Sequence, residues 1–304
     1  MHSVKTEVLL LAFVALTGIW GCERSHSART NDSFSPPFQG STRFDPKRAG
    51  SIQGRVGWSG AIPDIPLLST PPDPLAGLVL RKRQLRPNPN APEIDLTTRG
   101  VKDAVVSLRG VDLRRSKSWD IPPVVVEQRD CEYQVIQGGE ARPVGIVRLG
   151  DDVELVSRDP TFYALHATGA AYFSLTFMDP GSPRKRTLYE KGIVELSSAA
   201  GYYWMRAYLH VDDHPYYAVT SGQGEFKLTQ IPEGSYEMAI WLPDWHVLRH
   251  ERDPESAIIA RLFFKPAIQK LLRVRVCPNK TEEVAILLSA ADFGPESTKE
   301  SSPR

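Results

Sequence analysis

Between residues 194 and 241 the chain alternates short runs of Tyr, Trp and Val with tight glycine and proline turns, a pattern suited to β-sheet. Two strand-like runs flank Gly222-Gln-Gly224, and a second turn falls at Pro232-Glu-Gly234. Aromatic and β-branched residues fit a pleated, half-buried surface, and the turns between them need backbone angles that glycine and proline supply. The same punctuation runs through the rest of the chain. Strands are expected at 51–58, 101–111, 123–128, 171–177 and 192–196, two more within 145–156 around a Gly-Asp-Asp turn, and others at 257–264, 271–276 and 283–289. The fold class this implies is all-β.

At 304 residues with 41% hydrophobic content, the chain can hold one large or two ordinary domains with real cores. A formal net charge of +1 gives no reason to expect nucleic acid as a partner. The triplet Arg81-Lys-Arg83 reads as a solvated loop rather than a binding patch, and Arg184-Lys-Arg186 as a basic loop between two strands.

The first 22 residues read as an address. Lys5 provides a positive start, 8–20 is apolar yet short for a membrane span, and Gly21-Cys22 follows. Cys after a small residue in that place resembles a bacterial lipobox, so Cys22 is expected to carry a lipid anchor and become the mature N-terminus. An ordinary secretory signal is the next reading, and an uncleaved anchor the last. Residues 23–50 are polar, without periodicity, and read as a flexible tether. In an oxidising compartment Cys131 and Cys277 could form one disulfide, but both lie in strand-like runs and are read as free cysteines.

Several phrases resemble small bacterial periplasmic cupredoxin-like proteins of the plastocyanin-like and methylamine-utilisation-like kind. Ser157-Arg-Asp-Pro-Thr-Phe-Tyr163-Ala-Leu-His166-Ala167 is similar to the segment that supplies their first copper histidine, with Asp159, Pro160, His166 and Ala167 matching. Glu127-Gln-Arg-Asp-Cys131-Glu-Tyr133 is similar to their Asp-Gln-x-Gly-Cys-x-Tyr segment, although Val135-Ile136 stand where Pro-His-Val is usual. The run 199–205 resembles their last ligand loop, Cys-Asp-x-His-Pro-Trp-Met, with Trp204 and Met205 in place. A second set, Gly54-Arg-Val56, Ala104-Val-Val-Ser-Leu108 and Glu225-Phe-x-Leu-x-x-Ile231-Pro-x-Gly-x-Tyr236, resembles carboxypeptidase-regulatory-like domains of prealbumin or starch-binding type.

The cupredoxin resemblance also says what is missing. A type 1 copper site takes two imidazoles, a thiolate and a weak thioether. The three strong positions here hold Tyr163, Ala199 and Tyr202, and only the weak one, Met205, remains. A phenol with its unperturbed pKa of about 10 is neutral at pH 7 and does not replace an imidazole. No metal or other cofactor is therefore expected at that site. Elsewhere, His210, Asp212 and His214 would share a face on a strand, and His246 and His250 would share one on a helix, but both sets read first as hydrogen-bonded histidines. No nucleophile elbow, phosphate loop or zinc-protease motif is present, and the pairs Asp151-Asp152 and Asp212-Asp213 would point to opposite faces on a strand.

The expected organisation is a signal at 1–22, a linker at 23–50, a cupredoxin-like Greek-key sandwich at 51–210, a smaller prealbumin-like sandwich at 211–290 and a disordered tail at 291–304. If 53–106 supplies opening strands to the second module, the first is inserted within it; otherwise the two follow one another. The leading functional expectation is a non-enzymatic, copper-free envelope lipoprotein that binds or assembles with another envelope protein. The second is carbohydrate or surface-polymer binding, with Tyr216, Tyr217, Trp241 and Trp245 stacking on sugar rings. The third is electron transfer through a relocated metal.

Overall fold

The chain leaves one β-ladder at Arg109 and returns to it at Tyr217. In the computed structural model, which describes residues 43–70, 84–160, 162–255 and 259–294, the strands Val105–Arg109 and Tyr217–Val219 pair antiparallel, with Val105 opposite Val219. Everything from 124 to 212 lies between these two neighbours, so one sandwich is inserted in the other.

The host sandwich has a three-stranded sheet, Glu225–Pro232, Ala49–Trp58 and Thr281–Leu288, facing a four-stranded sheet, Tyr217–Val219, Val105–Arg109, Gly234–Leu242 and Ile268–Val276. Ile52, Val56, Leu108, Phe226, Met238, Ile240 and Ile286 fill the space between them. The inserted sandwich packs the five-stranded sheet Phe173–Phe177, Tyr163–Gly169, Gly192–Ser198, Arg206–Asp212, Val144–Arg148 on a second five-stranded sheet, Arg184–Thr187, Asp152–Ser157, Val124–Arg129, Glu132–Gln137, Glu140–Arg142. The all-β sandwich class is thus present twice over.

The two sandwiches share a third core. Val105 and Trp241 on the host sheet meet Val144, Ile146 and Tyr208 on the inserted one. Their chain neighbours Val106 and Ile240 point the other way, into the host core. A strand buried on both faces reads as a continuous apolar run rather than an alternating one, and Met238-Ala-Ile-Trp-Leu242 is such a run. A hairpin of the host, Val247–Arg252 with Ile259–Phe264, also reaches across and places Leu262 in the inserted core.

Four expectations are corrected. The boundary between modules does not fall at 51 and 210, because 49–58 pairs in parallel with 281–288 and 105–109 pairs with 234–242. The linker does not extend to 50: Ala49 and Gly50 already belong to a strand. The tail does not begin at 291, since Ala290–Phe293 forms a 3-10 turn whose Phe293 packs 5.9 Å from Trp58 and 4.2 Å from Trp245. Arg184-Lys-Arg186 is an edge strand on Asp152–Ser157 rather than a loop. Cys22 and the triplet at 81–83 lie outside the described residues.

The expected turns are present and their sequence is explained. Gly224 sits at φ 79, and a Cβ there would lie 2.1 Å from the Val56 carbonyl oxygen. The Tyr236 hydroxyl donates to the Pro232 carbonyl at 2.7 Å, which ties the Pro-x-Gly-x-Tyr turn to the strand that follows it.

Trp241 closes the shared core, so Trp241→Ala is expected to cost about 3–5 kcal/mol of stability, read as a lower urea midpoint.

Candidate functional site

The three phrases that resemble a copper-binding protein come together at one end of the inserted sandwich. Arg129 and Glu132 are paired across a two-residue hairpin, with Asp130 at φ 52 and Cys131 at φ 60, the left-handed pair that a type I′ turn requires. Such a turn leaves amides pointing outward. Here both find the buried Asp159, whose carboxylate accepts from Asp130 N at 3.1 Å and Cys131 N at 3.2 Å. The same carboxylate accepts from Gln128 Nε2 at 2.8 Å and the Tyr163 hydroxyl at 3.1 Å.

Tyr163 thus stands where the resemblance expects the first imidazole, fully buried, with its oxygen also 3.0 Å from Cys131 Sγ. Burial pushes the Tyr163 phenol well above its ordinary value and raises the Cys131 thiol as well. Neither offers an anionic ligand at neutral pH. Tyr202, in the second imidazole position, packs its ring 4.9 Å from Tyr163 and edge-on to Trp204 at 5.5 Å. Met205 is buried in the same cluster, while Ala199 is exposed on the loop and carries only a methyl where a thiolate is needed. Trp204 Nε1 donates to the Cys131 carbonyl at 2.9 Å and so links the last loop to the turn. Aromatic rings and hydroxyl hydrogen bonds fill this end of the sandwich.

The other expected residues are dispersed. His210, Asp212 and His214 do lie near one another at the seam of the two sandwiches, on the wall of a cleft of about 600 Å³. Asp212 is taken up by the Tyr217 hydroxyl at 2.7 Å, His214 Nε2 at 3.3 Å and Lys191 at 3.3 Å. Among the described residues no three His, Cys, Asp or Glu side chains are placed to hold a metal ion. His246 and His250 are not on a helix: His246 bonds Asp244 at 2.7 Å, and His250 sits exposed on the Val247–Arg252 strand. Cys131 and Cys277 are both free.

The four aromatics expected to stack on sugar are mostly inside. Tyr216 donates to the Gln230 carbonyl at 3.1 Å from within the host core, Trp241 lies in the shared core, and Trp245 stacks on His246 at 4.8 Å beneath Phe293. Only Tyr217 is half-buried. The two-sided burial of the central strand accounts for Trp241, since both its faces meet another sheet.

Sequence reasoning missed a cavity of about 350 Å³ where the 86–93 loop, the inserted sandwich and Trp241–Pro243 meet. Its lining residues include Arg86, Arg142, Arg206, Tyr133, Trp204 and Trp241. The proline- and asparagine-rich text of 86–92 was the only signal: Asn88 and Asn90 are buried and tie the loop to the Trp245 and Asp244 carbonyls at 2.9 Å each.

No protein-family model and no curated protein matches the chain. Among solved structures it is similar to amicyanin. A Cu(I) form of amicyanin with a methionine replaced by alanine is 16% identical over 35% of this chain and 97% of that one, with a TM-score of 0.24. An oxidised amicyanin with a proline replaced by glycine is 20% identical over 29% and 81%, with a TM-score of 0.23. A purple cupredoxin from Nitrosopumilus maritimus is similar at 11% over 30% and 98%, with a TM-score of 0.23. Likeness at these scores decides nothing about function, which rests on the chain's own ladders and side chains.

His210 gives this site a pH dependence. Burial holds its pKa down to about 3, with Asp212 only partly opposing, against an unfolded value of about 6.5. The native state therefore keeps the ring neutral, and its contribution to stability is complete above pH 6.5 and lost as pH falls toward 3. The unfolding free energy is expected to drop by up to about 1.4 kcal/mol per pH unit from this one group across that window. His210→Phe, which keeps a ring against Trp241, is expected to flatten the urea-derived stability profile by about one proton.

Proposed function

We propose that the chain is a non-enzymatic binding or assembly component held outside the cytoplasmic membrane by a lipid on Cys22, built on a cupredoxin-like sandwich that has given up type 1 copper. The observation that carries this reading is the filled ligand end: Tyr163 hydrogen-bonded to Asp159 and Cys131, with Tyr202 packed on its ring. A protein evolved to move electrons through that position would need an imidazole and a thiolate there. This one has hydroxyl groups already engaged with protein and no sulfur at 199.

The host sandwich is read as the carboxypeptidase-regulatory-like module, on the strength of the Pro232-x-Gly234-x-Tyr236 turn and its internal hydrogen bond. Two sandwiches joined over a shared apolar core suit a component that holds a partner. The carbohydrate reading loses support because Tyr216, Trp241 and Trp245 are inward-facing. The relocated-metal reading loses support because Asp212 is shared among Tyr217, His214 and Lys191 rather than left open toward a cation.

Two measurements test the proposal. The protein purified from its native compartment is expected to be colourless and to carry no stoichiometric copper by mass spectrometry; one copper per chain with an intense visible band would overturn it. Cys22→Ser is expected to release the chain from the membrane fraction, and full retention of that variant would remove the lipid anchor from the reading.

A further inference from the structure

The hairpin that reaches across to the inserted sandwich has one open edge. Val247–Arg252 pairs with Ile259–Phe264 on one side and, among the described residues, with no strand on the other. Its two faces are fixed by Leu262, which is buried in the inserted core. Arg261 and Phe263 on either side of it therefore point outward, together with their cross-strand partners Glu251 and Arg249. Every residue from Leu248 to Arg252 is exposed, Leu248 by 55%. A two-stranded ribbon gains stability from further strands, and an unpaired edge is a template for one.

What such an edge admits is set by its charges. The edge strands Arg184–Thr187 and Ile268–Val276 carry only cations, which repel a copy of themselves. Val247–Arg252 differs: Arg249 and Glu251, of opposite sign, share the outward face with His250 between them in sequence. Neither charge is taken up within the chain. Arg249 lies over the Phe263 ring at 3.5 Å and pairs with no carboxylate of the described residues, and Glu251, across from Arg261, forms no ion pair among them. Laid antiparallel against a second copy, with His250 opposite itself, the strand sets Arg249 across from Glu251 on both sides of a two-fold axis. Each outward row then runs Arg261, Glu251, Arg249, Phe263 from one hairpin into the other, so every Glu251 lies between two arginines. Centring the pair on Arg249 or on Glu251 instead places that charge against its own copy.

We propose that Val247–Arg252 pairs antiparallel with the same strand of a second copy of this chain, about a two-fold axis at His250, joining two hairpins into a four-stranded sheet. An isologous contact of this kind uses up the edge that forms it and so closes at the dimer. Register shifts at Val247/Arg249 and Glu251/Arg252 confine regular pairing to 249–251. The contact is therefore short, and the dimer is reversible rather than permanent. The inference goes beyond the role proposed above and rests on none of the residues at the copper position, so metal content tests that reading and self-association tests this one.

Analytical ultracentrifugation of the purified full chain tests the contact. A monomer is expected at about 1 μM, with a dimer growing in by about 1 mM. Arg249→Glu is expected to weaken the dimer at least about tenfold, because carboxylates then face each other on both sides of the axis. Adding Glu251→Arg to that variant exchanges the two charges and is expected to restore the dimer. Both side chains are exposed, so neither change removes a core contact. A second measurement reads the register. His250→Cys places two thiols across the axis at a Cα separation of about 5 Å, within disulfide range, whereas Leu248→Cys leaves them about 14 Å apart. Mild oxidation is expected to cross-link the first variant and not the second. The proposal is overturned if the chain stays monomeric up to about 1 mM, if the charge exchange does not restore what Arg249→Glu loses, or if Leu248→Cys cross-links as readily as His250→Cys.

Discussion

Where Val105-Val106 and Met238–Leu242 run side by side their sheet is buried on both faces, and the architecture depends on it. One face closes the host core through Val106, Met238 and Ile240; the other meets the inserted sandwich through Val105 and Trp241. Because side chains alternate along a strand, a register slip of one residue would exchange the two sets and misfill both cores at once. The ladder also carries the two ends of the insertion, Arg109 and Tyr217, on neighbouring strands. An inserted module whose ends emerge side by side disturbs its host little, since closing the loop needs no rearrangement of the sheet.

The filled end of the inserted sandwich is a separate packing problem with a coherent solution. Tyr163 and Tyr202 pack ring on ring there, and Asp159 takes the amides of the 130–131 turn together with Gln128 and the Tyr163 hydroxyl. Four donors converging on one carboxylate offset the cost of burying it. The loop at 202–205 is locked by Trp204 to the same turn, so the three segments hold one another.

Much of this was legible from residue patterns. The strand-and-turn text placed most of the strands, because periodicity and turn chemistry are local. The side-chain donors available at Tyr163, Ala199 and Tyr202 could also be read directly, since donor atoms are a property of residue type. Pairing partners were not legible. Residues 49–58 alternate like any half-buried strand, and nothing in that pattern says that they lie beside 281–288, more than 200 positions away. The 86–93 loop likewise looked like a plain proline-rich connection, although Asn88 and Asn90 tie it down through carbonyls at 245 and 244.

Sequence alone thus determined the β class, the turns and the side-chain chemistry available at 163, 199 and 202, because backbone preference and donor identity belong to individual residues. The tertiary structure alone decided that one sandwich interrupts the other, that Trp241 and Trp245 face inward, and that Tyr133, Arg86 and Arg206 surround one cavity. Those outcomes depend on which distant strands pair and which faces then lose their water, and burial is a property of the assembled layers rather than of any segment.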